Sequence, residues 1–156
     1  MAKQYWLFKS DPEDFGLSHL KKCKNKTSLW DGVRNYQARN LLRDRIRVGD
    51  GVLFYHSQEK PPAVVALAMV VRSAYPDPTQ FDAKSKYHDP KSTPDNPRWF
   101  VVDIRHERDL KRPVTLPEIR EISGLGEMVL VNRSRLSVQP VTPEEWKIVV
   151  RLGGRA

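Results

Sequence analysis

Cysteine is nearly missing from this chain: Cys23 stands alone, so no intramolecular disulfide can brace the fold. One thiol and four histidines, scattered at positions 19, 56, 88 and 106, offer no metal-ligand spacing, so a structural zinc is not expected and no other cofactor is called for. Long hydrophobic runs are also missing. No window approaches the roughly 20 apolar residues of a membrane-spanning helix, and the opening MAKQYWLFKS has no apolar stretch of signal-peptide length behind its charge. A soluble, intracellular protein is expected, with the cytoplasm as its compartment and no membrane partner.

The strong local signatures of catalysis are absent too. There is no glycine-rich phosphate loop, no Gly-x-Ser-x-Gly elbow and no His-Glu-x-x-His pair. Ser10, His56 and Asp31 could converge as a triad, since triads are defined by geometry and not by order, but any chain of this size offers such a trio. His88-Asp89 reads as a turn pair and Cys23 as an incidental residue of a lysine-rich helix. The expectation is a non-enzyme, with two alternatives kept: an enzyme acting on a modified nucleotide or nucleic acid through His56 with Ser10 or Lys9, or a small-molecule-sensing module.

What is present points elsewhere. The 156 residues suit one domain over residues 1–156, and 27 Lys plus Arg against 19 Asp plus Glu leave a net charge of +8. So basic a chain attracts polyanions, of which nucleic acid is the commonest in a cell. Arg34, Arg39, Arg43, Arg45 and Arg47 fall within fourteen residues, opposed only by Asp44. Arg34, Arg39, Arg43 and Arg47 are the expected phosphate contacts.

Along the chain, QYWLFKS (4–10) has the pattern of a buried first strand that leaves Lys9 and Ser10 at its end, and SDPEDF is turn material leading to a helix over 17–24. Asn35 is placed to cap a helix over 36–46 in which Ala38, Leu42 and Ile46 form an apolar stripe beside a basic one. Strands over 51–57 and 63–75 should form a hairpin across QEKPP. Residues 76–97, with five of the twelve prolines, read as a long surface loop near the site, anchored by Phe81 and Tyr87. A strand over 98–110, a short helix started by Thr115 and Pro117, and strands over 127–134 and 135–141 follow. A last helix has Thr142 as its cap and Glu145 at the capping-box position. Five or six strands mixed with small helices suggest an α+β fold with a curled sheet or small barrel.

The chemistry best supported by these residues is the binding of a flat aromatic group. An extruded base needs an aromatic wall, worth about 1–3 kcal/mol per stacked base, together with amides and hydroxyls that match its edge. Trp30, Asn35, Tyr36, Gln37, Tyr55 and Ser10 supply those types from element ends. Trp6, Trp99 and Trp146 read as core, whereas Trp30 precedes an Asp-Gly turn and is expected to be exposed in a pocket.

The blocks YWLFKSDP, WDGVRNYQARN, RVGDGVLFYHS, AYPDPTQFD, YHDPKST, PRWFVVDIR and RLSVQPVTPEEW, in this order over nearly the whole chain, resemble the EVE domain of the PUA-like superfamily. The resemblance implies a PUA-like pseudo-barrel of mixed strands with flanking short helices, and a reader of modified bases: modified cytosine in DNA, or a modified base in RNA. It also implies a base pocket lined by Lys9, Ser10, Trp30, Val33, Arg34, Asn35, Tyr36, Gln37, Ala38, Tyr55, His56, Ser57, Leu136 and Ser137. Asp11 departs from the glutamate common in the family, a change of one methylene that leaves the charge intact.

Overall fold

In the computed structural model, which describes residues 3–132 and 135–154, the first aromatic run forms β1 (Tyr5–Ser10), an interior strand of a six-stranded sheet. Its side chains alternate: Trp6 and Phe8 enter one core and Leu7 a second core on the opposite face. β1 pairs in parallel with β3 (Gly51–His56), which is buried along its whole length, and antiparallel with β6 (Val138–Val141). β3 and β4 (Ala63–Pro76) form the expected hairpin. β4 in turn pairs with β5 (Phe100–Thr115), whose outer edge carries β2 (Thr27–Leu29), so the order is β2-β5-β4-β3-β1-β6. Repeated breaks of register between β4 and β5 bend both strands and curl the sheet.

Short helices cover the two faces. α1 (Pro12–Phe15) and α2 (Leu17–Lys22) follow β1, and α3 (Tyr36–Asp44) packs against β4, β5 and β6. The Asn35 side chain accepts a hydrogen bond from the Ala38 amide at 3.0 Å, which starts α3 as expected. Ala38 and Leu42, with Ile46 just beyond, then sink into the first core. Full burial of a side chain such as Leu42 contributes about 1.5–3 kcal/mol. α4 (Leu116–Glu121), α5 (Val129–Asn132) and α6 (Pro143–Gly153) enclose the second core, and Thr142 and Glu145 form the expected capping box of α6. Among the described residues, no helix is long and apolar enough to cross a membrane.

Two expectations are corrected. Residues 127–132 do not form a strand: Val129–Asn132 is helical, and residues 133 and 134 lie outside the described residues. An unbroken apolar run such as MVLV fits a buried helix as well as a strand, and β6 alone occupies the available edge of β1. Thr27–Leu29, to which the sequence reading assigns no element, is a strand, paired antiparallel with Asp103–Arg105 on the outer edge of β5. The segment over 76–97 does lie against the rest of the fold, but Phe81 is exposed. Its anchor is Gln80, fully buried, which donates to the carbonyls of Asp77 and Trp99 and accepts from the amides of Arg98 and Trp99.

Candidate functional site

A cavity of about 390 Å3 opens where five segments meet: the end of β1, α1, the stretch from β2 to the cap of α3, the long segment through Tyr87, and Ser137 just before β6. Of the expected pocket residues it gathers Lys9, Ser10, Trp30, Val33, Arg34, Asn35 and Ser137. Asp14, Phe15, Asp31 and Tyr87 are among the others that line it. Asp31 and Tyr87 had been noted in the sequence for other reasons, but Asp14 and Phe15 carry no local signal that would have marked them.

Trp30 forms part of the wall. Its ring is held by Phe8 at 5.3 Å, Phe54 at 5.6 Å and Phe15 at 6.1 Å between centroids, and its amide donates to the Val102 carbonyl. Only 7% of the residue is exposed, so it belongs to the core and to the cavity at once, and the expectation of an exposed ring is corrected. Its indole N–H has no hydrogen-bond partner among the described residues, whereas those of Trp6 and Trp99 donate to Asp50 and Asp89. It is not sealed inside the fold, so it is open to the cavity that the residue lines.

Asn35 divides its amide. The oxygen caps α3, and the nitrogen, on the cavity wall, donates to no described residue. Asp31 offers an acceptor at the mouth, and its carboxyl is held above the ordinary range, first by partial loss of water and then by the nearby charge of Asp77. Lys9, half-buried, has an ammonium pushed below its usual value by the same loss of water. Trp30 and Asn35 thus bring two donors, and Asp31 an acceptor, to the lining of the cavity.

Arg34 does something other than expected. Its guanidinium donates to Asp77 at 3.0 Å, to the Tyr87 carbonyl at 2.7 Å and to the Thr79 hydroxyl at 3.2 Å, tying the long segment onto the cavity. Those donors are engaged by the protein's own groups, so Arg34 has a structural role that the sequence reading did not give it. Gly32 completes the clasp. Its amide donates to Asp77, its φ is +80°, and a Cβ there would lie 2.5 Å from the Tyr87 ring, so only glycine allows this approach.

Other expected pocket residues lie outside it. Ala38 and Leu136 are core side chains, and Gln37 is exposed on α3. Tyr36 is packed against the Trp99 ring on the outer surface, where the Arg39 guanidinium lies 4.7 Å from its centroid, so it is committed to that stack. Tyr55 and Ser57 line a different cavity. His56 is buried, with Nε2 accepting from the Leu17 amide and Nδ1 2.8 Å from Glu59, so neither nitrogen is left to act as a base. The Ser10 hydroxyl donates to the Phe15 carbonyl. Hence Ser10, His56 and Asp31 make no hydrogen-bonded relay. Among the described residues, no three His, Cys, Asp or Glu side chains are grouped to hold a metal ion.

Of the basic stripe, Arg39 donates to the Arg98 carbonyl and is half-buried. Arg43 and Arg47 are exposed, with Arg43 paired to its neighbour Asp44 at 2.8 Å. Such a surface pair is weak and yields readily to a phosphate.

Known proteins share this architecture and much of this sequence. Thymocyte nuclear protein 1 of Danio rerio is 44% identical over 164 residues, spanning 94% of this chain and 71% of the relative. The human THYN1 protein, in a crystal structure with DNA containing 5-methylcytosine, superposes with a TM-score of 0.94 at 40% identity over 99% of each chain. A hypothetical protein from Leishmania major superposes with a TM-score of 0.92 at 45% identity, over 97% of this chain and 95% of that one. The EVE domain pattern matches residues 4–152, and the chain belongs to the EVE domain family.

Proposed function

We propose that this protein is a non-catalytic reader of modified cytosine in DNA, taking one flipped base into the cavity beside Trp30. The observation that carries this reading is the unpartnered indole N–H of a nearly buried tryptophan on the cavity wall. With the Asn35 amide nitrogen it supplies two donors, and Asp31 supplies an acceptor. The Watson–Crick edge of cytosine presents the complement, two acceptors and the N4 amino donor, and a carboxylate is a natural partner for that amino group. A cavity of about 390 Å3 lies near the lower end of ordinary ligand sites, which suits one nucleoside. The human relative crystallised with 5-methylcytosine DNA supports DNA over RNA. The commitment of Ser10 to the Phe15 carbonyl and of both His56 nitrogens to Leu17 and Glu59 supports reading without turnover.

The methyl group would rest on apolar wall and contribute about 1–3 kcal/mol, so methylated and plain cytosine should differ by tenfold to a few hundredfold in affinity. Fluorescence anisotropy over a panel of DNA and RNA oligonucleotides with cytosine, 5-methylcytosine and methylated adenine tests this. Equal affinity across the panel would refute base reading, and a preference confined to RNA would refute the choice of DNA.

Asp31 makes the reading dependent on pH. A carboxyl held above its ordinary value binds its proton more tightly in the folded protein than in the unfolded chain. Its ionisation therefore opposes folding at neutral pH, a penalty that fades as pH falls below its range. Binding runs the other way, because only the carboxylate accepts from the amino group. Affinity for 5-methylcytosine DNA should fall as pH drops through the range where Asp31 protonates. Asp31→Asn should flatten that profile, lower neutral-pH affinity roughly tenfold and leave stability unchanged or higher. An unaltered profile in the variant would remove Asp31 from the contact.

Phosphates would be tracked by the exposed arginines at the end of α3. Replacing Arg43 and Arg47 together with alanine should weaken binding to every sequence alike and reduce the slope of log affinity against log salt by about 0.9 per lost contact. An unchanged slope would take them out of the footprint.

A further inference from the structure

A second cavity, of about 380 Å3, lies on the other side of a narrow ridge from the first. Tyr55, Gln58, Leu116 and Leu130 line it, and Lys9 and Ser137 belong to the walls of both cavities. Within this ridge the Lys9 amide donates to the Ser137 carbonyl at 2.9 Å. Tyr55 is 2% exposed, yet its hydroxyl has no hydrogen-bond partner among the described residues. Among the described residues His106 Nδ1 is the one sealed side-chain atom without a partner, so the Tyr55 hydroxyl is open to this cavity and not shut inside the fold. Burial pushes its pKa up to about 12, so it stays protonated and able both to donate and to accept, and the charge of Arg120 is felt there too.

We infer that the two cavities are adjoining subsites on one strand: the flipped base enters beside Trp30, its neighbour on the same strand enters the Tyr55 cavity, and the phosphodiester between them crosses the Lys9–Ser137 ridge. This rests on the reading of the first cavity as a base site. A wall that both cavities share through Lys9 and Ser137 suits two units joined by one phosphate. The Tyr55 hydroxyl then bonds the edge of the second base, and the protein reads a dinucleotide step.

The test uses single-stranded oligonucleotides carrying one 5-methylcytosine, so that removing a neighbouring base leaves the cost of flipping unchanged. The nucleotide on its 5′ side or its 3′ side is made abasic, and affinities are measured for the intact protein and for Tyr55→Phe, which removes a hydroxyl with no partner in the fold. An abasic site on one side should weaken binding about tenfold and on the other side hardly at all. Tyr55→Phe should weaken the intact strand about fivefold and should add nothing once that neighbour is abasic, a coupling that marks direct contact. If the preference for 5-methylcytosine persists while neither neighbour matters, or Tyr55→Phe acts equally on intact and abasic strands, the second subsite is overturned alone. If the intact protein shows no preference for 5-methylcytosine, the first-cavity reading falls and the second subsite with it.

Discussion

Asp77→Ala is expected to cost about 3–5 kcal/mol of folding stability, the range for breaking a buried ion pair from one side. The Asp77 carboxylate is fully buried and accepts from the Arg34 guanidinium, the Gly32 amide at 2.9 Å and the Thr79 amide at 2.8 Å. Its removal leaves a partly buried cation and a turn amide without their acceptor, at the point where the long segment is tied to the cavity. Urea denaturation measures the loss. Asp77→Asn, which keeps the shape and part of the hydrogen bonding, should lose less, and both variants should bind DNA more weakly because the Tyr87 wall is no longer held. A cost below about 1 kcal/mol for Asp77→Ala would mean that Arg34 finds another partner and that the clasp is not what shapes the cavity.

Trp30→Phe should weaken binding of 5-methylcytosine DNA by roughly tenfold to a hundredfold while leaving the protein folded, since it keeps an aromatic wall but leaves a base acceptor unpaired, at about 1–3 kcal/mol. Trp30→Ala is a poorer probe. Trp30 packs among Phe8, Phe15 and Phe54 in the first core, so truncation would also cost about 3–5 kcal/mol of stability. The phenylalanine variant separates the two roles. Calorimetric titration beside thermal melting gives both readouts, and undiminished affinity in a well-folded Trp30→Phe would show that the indole N–H does not touch the base.

Much of this arrangement is legible in the sequence, for reasons that differ from element to element. The cap and stripe of α3 were readable because the Asn35 capping signal and the i, i+4 spacing of Ala38, Leu42 and Ile46 act over a few residues. The capping box of α6 is equally local. The run over 127–132 was misread because unbroken apolar stretches carry no period, and the pairing that decides between strand and helix is made with the distant β1. In the site, the family resemblance puts Tyr55, His56 and Ser57 in one pocket, yet strand alternation sends Tyr55 into the second core while Phe54 faces the first. Arg34 reads as a phosphate contact because it opens a run of five arginines within fourteen residues; its partner Asp77 lies 43 residues away. Asp31 is visible in the sequence as a turn residue and as a member of a possible triad, and its place at the cavity mouth depends on the clasp that Gly32, Asp77 and Tyr87 build around it.

The central claim, that a base bonds to Trp30 inside the first cavity, is tested most directly by following the indole N–H resonances of the four tryptophans in a 15N-labelled protein during titration with 5-methylcytosine DNA, assigned by Trp30→Phe. The Trp30 signal should move to saturation with the binding curve, as its unpartnered N–H gains an acceptor, while those of Trp6 and Trp99, already bonded to Asp50 and Asp89, stay nearly fixed. Binding with shifts confined to the backbone of α3 and a stationary Trp30 signal would contradict the account and leave the protein as a phosphate-tracking surface without a base pocket.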